Sequence, residues 1–306
     1  MVDFVDGTVQ VRVPASSANL GPGFDALGLA LSLYDDVAGM VTDEGLAIEI
    51  IGEGGSAGTA LARDESHLVA RTMRAAFAAM QVEPAGLTID CRNRIPHSRG
   101  LGSSAAAVVA GLVLARALVV DGSERLDDAA LLTLAADIEG HPDNVAPSLL
   151  GGLTIAWRDH DHARAIRCRL DPEVQPVLLI PPFSASTELA RGLLPTTVPH
   201  ADAAFAAGRA ALLVAALTGA PEALFEATED RLHQAFRAPA MADSWQLLTE
   251  LRSAGHPAVI SGAGPSLFIP ARGQVEAEAV RAAAPEGWRA ERLAMDVDGA
   301  RVVSPD

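Results

Sequence analysis

Lysine is missing altogether: the 23 cationic side chains among the 306 residues are all arginines. That absence removes whole mechanisms. A P-loop requires G-x-x-x-x-G-K-[ST], a protein kinase requires its strand lysine, and Schiff-base chemistry requires a side-chain amine. Cysteine is almost as scarce. Cys91 and Cys168 stand alone and fit no C-x-x-C pattern, so both are expected to be small buried hydrophobes. Aromatic residues make up only 4% of the chain. The longest apolar stretch, around Ala105 to Val120, is broken by Arg116 and is too short to span a bilayer. The start, MVDFVDGTVQ, is acidic and lacks the basic and apolar regions of a signal peptide. A soluble, cytoplasmic protein is expected.

Positive charge is also in short supply. Against 39 acidic residues the net charge is −16, so nucleic acid and anionic membrane surfaces are poor partners. An anionic substrate would have to be held locally, by helix N-termini, backbone N–H groups, a few arginines or a metal ion. What the chain does have is apolar content: 49% hydrophobic and 20% charged residues, enough for a sizeable core. At roughly 150 residues per domain, the length suggests two domains.

Val9, Val11 and Val13 alternate with polar residues as in a half-buried strand, which Pro14 is expected to end. The loop PASSANLGPGFDALG follows. Strands are predicted at Leu46 to Ile51 and Leu87 to Cys91, with a helix from Ser66 to Met80 between them. A helix from Ser103 to Val120, apolar on nearly every face, reads as central and buried. Another fits Leu126 to Glu139, and strands fit Gly152 to Trp157 and Ala165 to Leu170. Beyond Pro176 the pattern gives a strand VLLI and helices near Ser186 to Leu194, Pro199 to Gly219, Pro221 to Phe236 and Met241 to Ala254. PAVISGAGPSLFIP reads as strand, glycine turn, strand; a helix at Gln274 to Ala284 and a strand near Trp288 to Met295 complete the chain. Strands and helices mix without regular βαβα alternation, so the expected class is α+β, with domains at 1–170 and 171–306.

The segment Pro96-His97-Ser98-Arg99-Gly100-Leu101-Gly102-Ser103-Ser104-Ala105-Ala106 follows a strand and opens the buried helix. Its glycines let backbone approach a ligand, and Ser103 and Ser104 fall where free N–H groups and the positive dipole end attract phosphate. An ordinary serine cap on a core helix would look the same. Gly102-Ser103-Ser104-Ala105-Ala106 also approaches the G-x-S-x-G elbow of hydrolases, but no ordered βα series follows to present an acid and a histidine. GPGFDALG fails the dinucleotide fingerprint, its third glycine coming too late. Asp159-His160-Asp161-His162 reads as a solvated turn rather than a metal site. Glu139 ends its helix at the unfavourable end of the dipole, just before His141-Pro142-Asp143-Asn144. An acid and a serine hydroxyl beside triphosphate oxygens are what Mg²⁺ needs.

Three segments together carry a resemblance. PASSANLGPGFDALGLAL, PHSRGLGSSAA and SGAGPSLF are similar to the three motifs of the GHMP kinases, which phosphorylate small alcohols. The ANLGPGFD form of the first motif, EGHPDNVAPSLLGG, FSASTELARGLLP and DRLHQAFR point to the branch whose acceptor is L-homoserine. The resemblance implies a ribosomal-protein-like N-terminal domain with a left-handed βαβ crossover and a ferredoxin-like C-terminal domain. It implies ATP on the loop Pro96 to Ala106 and Mg²⁺ on Ser104 and Glu139. It further implies an ammonium binder in Asp25 helped by Asn19, a carboxylate clamp in Arg191 and Arg237, and His141 and Asn144 at the hydroxyl end. Asn144, Arg191 and Glu139 are then the residues expected to act on the reacting groups. Asn144 is neutral and cannot take the hydroxyl proton; Asp143 becomes a candidate base only if the fold turns it inward. Another small alcohol as acceptor, or a non-catalytic relative, would share the general motifs. Oligomeric state stays open, a homodimer included.

Overall fold

The computed structural model describes residues 3–55 and 61–304. β1 (Val9–Ala18) begins with the alternating valines but does not stop at Pro14. Its register against β2 (Leu27–Thr42) shifts between Pro14 and Ala15, and this irregularity accommodates the proline inside a continuing strand. The sixteen-residue β2 shows no clean alternation because its first five residues are all buried. β3 (Gly45–Gly52), α1 (Leu68–Ala79) and β4 (Gly86–Asn93) form a βαβ unit with β3 and β4 as parallel neighbours. α2 (Ser103–Ala117) is buried along most of its length, as its composition predicts.

The short α3 (Gly122–Arg125) and then α4 (Asp128–Glu139) lead to a helix that the sequence pattern does not reveal, α5 (Pro142–Leu150). Pro142 sits at its start, where a missing N–H costs nothing, whereas Pro147 lies inside it. Pro147 cannot donate to the carbonyl of Asp143 four residues earlier. That carbonyl packs against β2 instead, where a Cβ on Gly28 would lie 2.0 Å from it. β5 (Leu153–Asp159) and β6 (His162–Cys168) form a hairpin whose two-residue turn has His160 at φ 54°. The Asp159–His162 cluster is therefore a turn, and no group of three metal-ligating side chains gathers among the described residues.

The second half contributes β7 (Val174–Ile180), α6 (Thr187–Gly192), α7 (His200–Thr218), α8 (Leu224–Ala227), α9 (Gln234–Arg237), α10 (Ala242–Ser253), β8 (Val259–Ile260), β9 (Leu267–Arg272), α11 (Gly273–Ala282), β10 (Arg289–Arg292) and β11 (Arg301–Val303). The helix expected from Pro221 to Phe236 is broken into short turns. By length and composition α7 could cross a membrane, which corrects the reading that no stretch qualifies; it carries Asp202 and Arg209 and buries Leu213, Ala216 and Leu217 in the protein core.

The first sheet runs β11-β1-β2-β4-β3, with β5 on β2 and β6 on β5. The second runs β10-β7-β9-β8, the fourth-first-third-second order of a ferredoxin-like βαββαβ unit. The sequence boundary at 170/171 falls between β6 and β7, but β11 pairs with β1, so the C-terminal tail returns to the first sheet. A three-residue strand is too short for its pattern to name a partner. β7 links the two halves through its faces. Leu178 and Ile180 join the main core, while Val177 and Leu179 join a second cluster with α10 and α11.

Candidate active site

The loop between β4 and α2 is built on glycine. Gly102 precedes the helix at φ 67°, and no side chain caps the first turn of α2. A Cβ there would lie 2.0 Å from Ser16 Oγ, and one on Gly100, at φ 73°, would lie 2.2 Å from the Ser261 carbonyl oxygen. Only residues without side chains permit such an approach. The turn between β8 and β9 clasps the loop from the other side: Ser261 Oγ donates to the Gly100 carbonyl at 2.6 Å, and Ser266 N donates to that of Arg99 at 3.2 Å. The helix N-terminus is thus left open to an anion.

Asn19, Ser98, Gly100 to Ser104, Glu139, His141, Asn144, Arg191 and Arg237 line one cleft of about 150 Å³. These positions span more than two hundred residues of chain, and the fold brings them together. Of the remaining loop residues, His97 and Ala106 line a neighbouring cavity, while Pro96, Arg99 and Ala105 line neither. The Arg99 guanidinium donates to the carbonyls of His97, Pro181 and Pro182.

Ser104 Oγ donates to Glu139 Oε2 at 2.9 Å, across from α2 to the end of α4. Burial raises the Glu139 pKa, against the pull of the Ser104 hydrogen bond and of His141. A carboxylate disfavoured in its charged state, with a hydroxyl oxygen beside it, is a donor pair suited to a hard cation. At the start of α5, Asp143 is 1% exposed and turned into the cleft. Its Oδ1 lies 2.7 Å from His141 Nδ1, a short contact that lacks hydrogen-bond geometry and is an ion pair only when the imidazole is protonated. Burial disfavours the charged imidazole, but Asp143 outweighs it and leaves the His141 pKa raised. Ser16 Oγ donates to Asn144 Oδ1 at 3.1 Å, so Asn144 retains its amide N–H groups as donors toward the cleft.

At the opposite end, Arg191 on α6 holds Asp25 through Nη2–Oδ1 at 2.9 Å. Asn19 Oδ1 accepts from the Asp25 backbone N–H, fixing the loop where both residues have positive φ. Arg237 is 1% exposed yet makes no ion pair with a carboxylate among the described residues. Its Nη1 donates to the Gly262 carbonyl at 3.0 Å, its Nε has no partner, and the guanidinium lies 5.5 Å from the Phe24 ring centroid. Burial, with Arg191 nearby, lowers its pKa. A buried cation that lines a cleft with no carboxylate in direct contact is a site for an anionic group.

A second, larger cavity of about 410 Å³ shares Ser98, Ser103 and Ser104 with the first. Its walls are mostly apolar: Val37, Leu68, Val69, Cys91 and Ala110 among them. Polar groups enter from Asp35 and His67, each 5% exposed. Asp35 Oδ1 accepts from the backbone N–H groups of Arg94 and Ile95 at 2.6 and 2.9 Å. Burial nevertheless pushes its carboxyl up to about 6. Apart from the residues of the glycine loop, its lining forms no motif in sequence; β2, β4, α1 and α2 must pack before the cavity exists.

The family model for the N-terminal domain of GHMP kinases matches residues 67–152, and that for the GHMP kinase C-terminal region matches 201–290. The homoserine kinase of Streptomyces avermitilis is 57% identical over 98% of this chain and 97% of its own. The chain belongs to the homoserine kinases of the GHMP superfamily. The homoserine kinase of Mycobacterium tuberculosis is 47% identical over 92% of this chain and 90% of its own. Among solved structures, homoserine kinase from Cytophaga hutchinsonii superposes with a TM-score of 0.85 at 26% identity, covering 99% of both chains. Mevalonate diphosphate decarboxylase from Staphylococcus aureus, at 14% identity and TM-score 0.68 over 97% and 98% of the two chains, shares the fold. Family membership makes ATP the phosphoryl donor.

Proposed function

We propose that the chain transfers the γ-phosphoryl group of ATP to the side-chain hydroxyl of L-homoserine, giving O-phospho-L-homoserine and ADP, a step toward threonine. The observation that carries the acceptor assignment is the buried Arg237, which has no direct carboxylate partner and lines the same cleft as Arg191, itself held by Asp25. Two guanidiniums and one carboxylate at one end match an amino-acid zwitterion, and Arg pairs carboxylates in fork geometry. The other end, with Ser104, Glu139 and the open start of α2, matches phosphate and a divalent cation.

The nucleoside would lie in the apolar second cavity, and the phosphates would pass over Ser98, Ser103 and Ser104 into the first. Ser104 and Glu139 would hold Mg²⁺. Such a pair suits an ion that takes one or two protein oxygens and completes its shell with phosphate and water. When bound, it would neutralise charge on the phosphoryl oxygens. The chain's own residues do the positioning. Arg237, Arg191 and Asp25 fix the acceptor's charged end, and the Asn144 amide donates to the hydroxyl oxygen. That oxygen bonds to the γ-phosphorus as the bond to the β-bridging oxygen breaks; the proton leaves late, to phosphate, to water or to Asp143, which the fold turns into the cleft. Asn144 cannot take it, and alignment supplies much of the rate.

ADP formation from MgATP with homoserine, mevalonate, shikimate and galactose in parallel tests this reading. Homoserine should be turned over best. Faster turnover of another alcohol, or no ADP with any, rejects it.

A further inference from the structure

Arg99 sits inside the phosphate-binding loop, in a chain with no lysine, yet its guanidinium does not line the cleft. It donates from Nη1 to His97 O at 2.9 Å, from Nε to Pro181 O at 3.2 Å and from Nη2 to Pro182 O at 2.8 Å. The last two acceptors belong to the segment that leaves β7 and enters α6. Prolines have no N–H, so Pro181 and Pro182 offer this loop only carbonyls, and a forked cation can serve both at once. Ala185 N donates to Ser98 O at 3.2 Å, a second tie between the same segments. On either side of Arg99, Ser98 and Gly100 line the cleft; at the far end of the strap, so do Thr187 and Arg191 on α6.

We propose that Arg99 is a positioning residue that couples the nucleotide loop to the acceptor-binding helix α6, so that nucleotide and acceptor tighten each other's binding. Two prolines with fixed φ make the strap stiff, and the guanidinium makes one body of the loop and the strap's first residues. Ordering of Ser98 to Gly102 around phosphate is thereby transmitted to Thr187 and Arg191. Lysine would substitute only in part, since one ammonium cannot span both proline carbonyls and His97 in a plane.

The proposal rests on the kinase reading, and the test separates the two. The measurements are the Kd of homoserine with and without a non-hydrolysable ATP analogue plus Mg²⁺, and the Kd of the analogue alone. They are made by calorimetry on the full chain, Arg99→Met and Arg99→Lys. The unaltered chain should bind homoserine at least ~5-fold more tightly with the analogue present. Arg99→Met should bring that factor to about 1, leave each ligand's separate Kd within about 3-fold, and lower kcat by ~10-fold. Arg99→Lys should fold normally and show an intermediate factor. A coupling factor of 1 in the unaltered chain overturns the proposal. So does an Arg99→Met variant that keeps the coupling but binds the analogue ~10-fold more weakly, because Arg99 would then be a phosphate contact. If the unaltered chain binds neither ligand, the kinase reading fails and takes this one with it.

Discussion

Arg191, on the wall of the cleft, and Asp25 hold each other, Nη2 to Oδ1 at 2.9 Å and Nη1 to Oδ2 at 3.5 Å. Both side chains are more than a third exposed, so the pair contributes little to stability. In the proposed function its importance lies in occupancy: each residue would be the other's partner until an acceptor replaces both. A zwitterion can do so without stranding a charge, its ammonium on Asp25 and its carboxylate on Arg191. Asp25→Asn should therefore raise the KM for homoserine by ~10- to 100-fold with little change in melting temperature. Steady-state kinetics beside a thermal melt checks this; an unchanged KM removes Asp25 from the acceptor site.

Arg237→Leu should lower kcat/KM for homoserine by ~10- to 100-fold, the loss of a charge-assisted bond worth ~1.5–3 kcal/mol. The Gly262 carbonyl keeps a donor after the change, because Asn19 Nδ2 also reaches it at 2.8 Å. ATP affinity should hold. Homoserine amide, already lacking the carboxylate charge, should show little further loss. Equal loss on both compounds would mean that Arg237 is structural.

Glu139→Gln keeps the shape of the Ser104 contact and removes the charge. Turnover should fall by at least ~10²-fold, the scale of losing an electrostatic contact to the transition state. The loss should be largest at limiting Mg²⁺. Near-normal turnover there would take Glu139 out of the proposed metal site.

Gly102→Ala places a methyl group 2.0 Å from Ser16 Oγ at a backbone φ of 67°. Strain of this kind costs about 1–3 kcal/mol. Because Ser16 also holds Asn144, the substitution should lower kcat by more than the stability loss alone explains. Chemical denaturation and kcat measured on one preparation distinguish the two effects.

Asp35 carries a pH signature. Its carboxyl titrates near 6 in the fold, against an ordinary value of 3.8. The folded state thus binds more protons between those values, and stability falls as pH rises through that window. Above pH 6 the buried charge costs ~3 kcal/mol. Asp35→Asn keeps an oxygen for the Arg94 and Ile95 N–H groups. It should be more stable than the unaltered chain by ~1–3 kcal/mol at pH 7.5, with the gap closing toward pH 4. Urea melts at both pH values decide it.

Local rules carry far in this chain. The uniformly apolar Ser103–Ala117 could be stable only as a central helix, the glycines and serines before it mark an anion-accepting helix start, and the absence of lysine removes competing mechanisms. The roles assigned to Asn19, Glu139, Arg191 and Arg237 came from the resemblance of the runs around them to family motifs, because each residue taken alone reads equally well as a turn residue or a solvated charge. Non-local packing decided the rest. β2 and α5 escape periodicity, one because its first five residues are all buried and the other because prolines occupy two of its nine positions. The inward turn of Asp143 depends on α5 seating against Gly28, and the cavity beside Asp35 and His67 exists only once two helices cover the sheet. The direction of Arg99 depends on where Pro181 and Pro182 lie, some eighty residues further along the chain. Sequence determines which side chains can bind phosphate, cation or carboxylate, because that is a property of the residue. Which of them face the same cleft, and which are spent on carbonyls outside it, is set by contacts between distant segments and is decided only in the folded molecule.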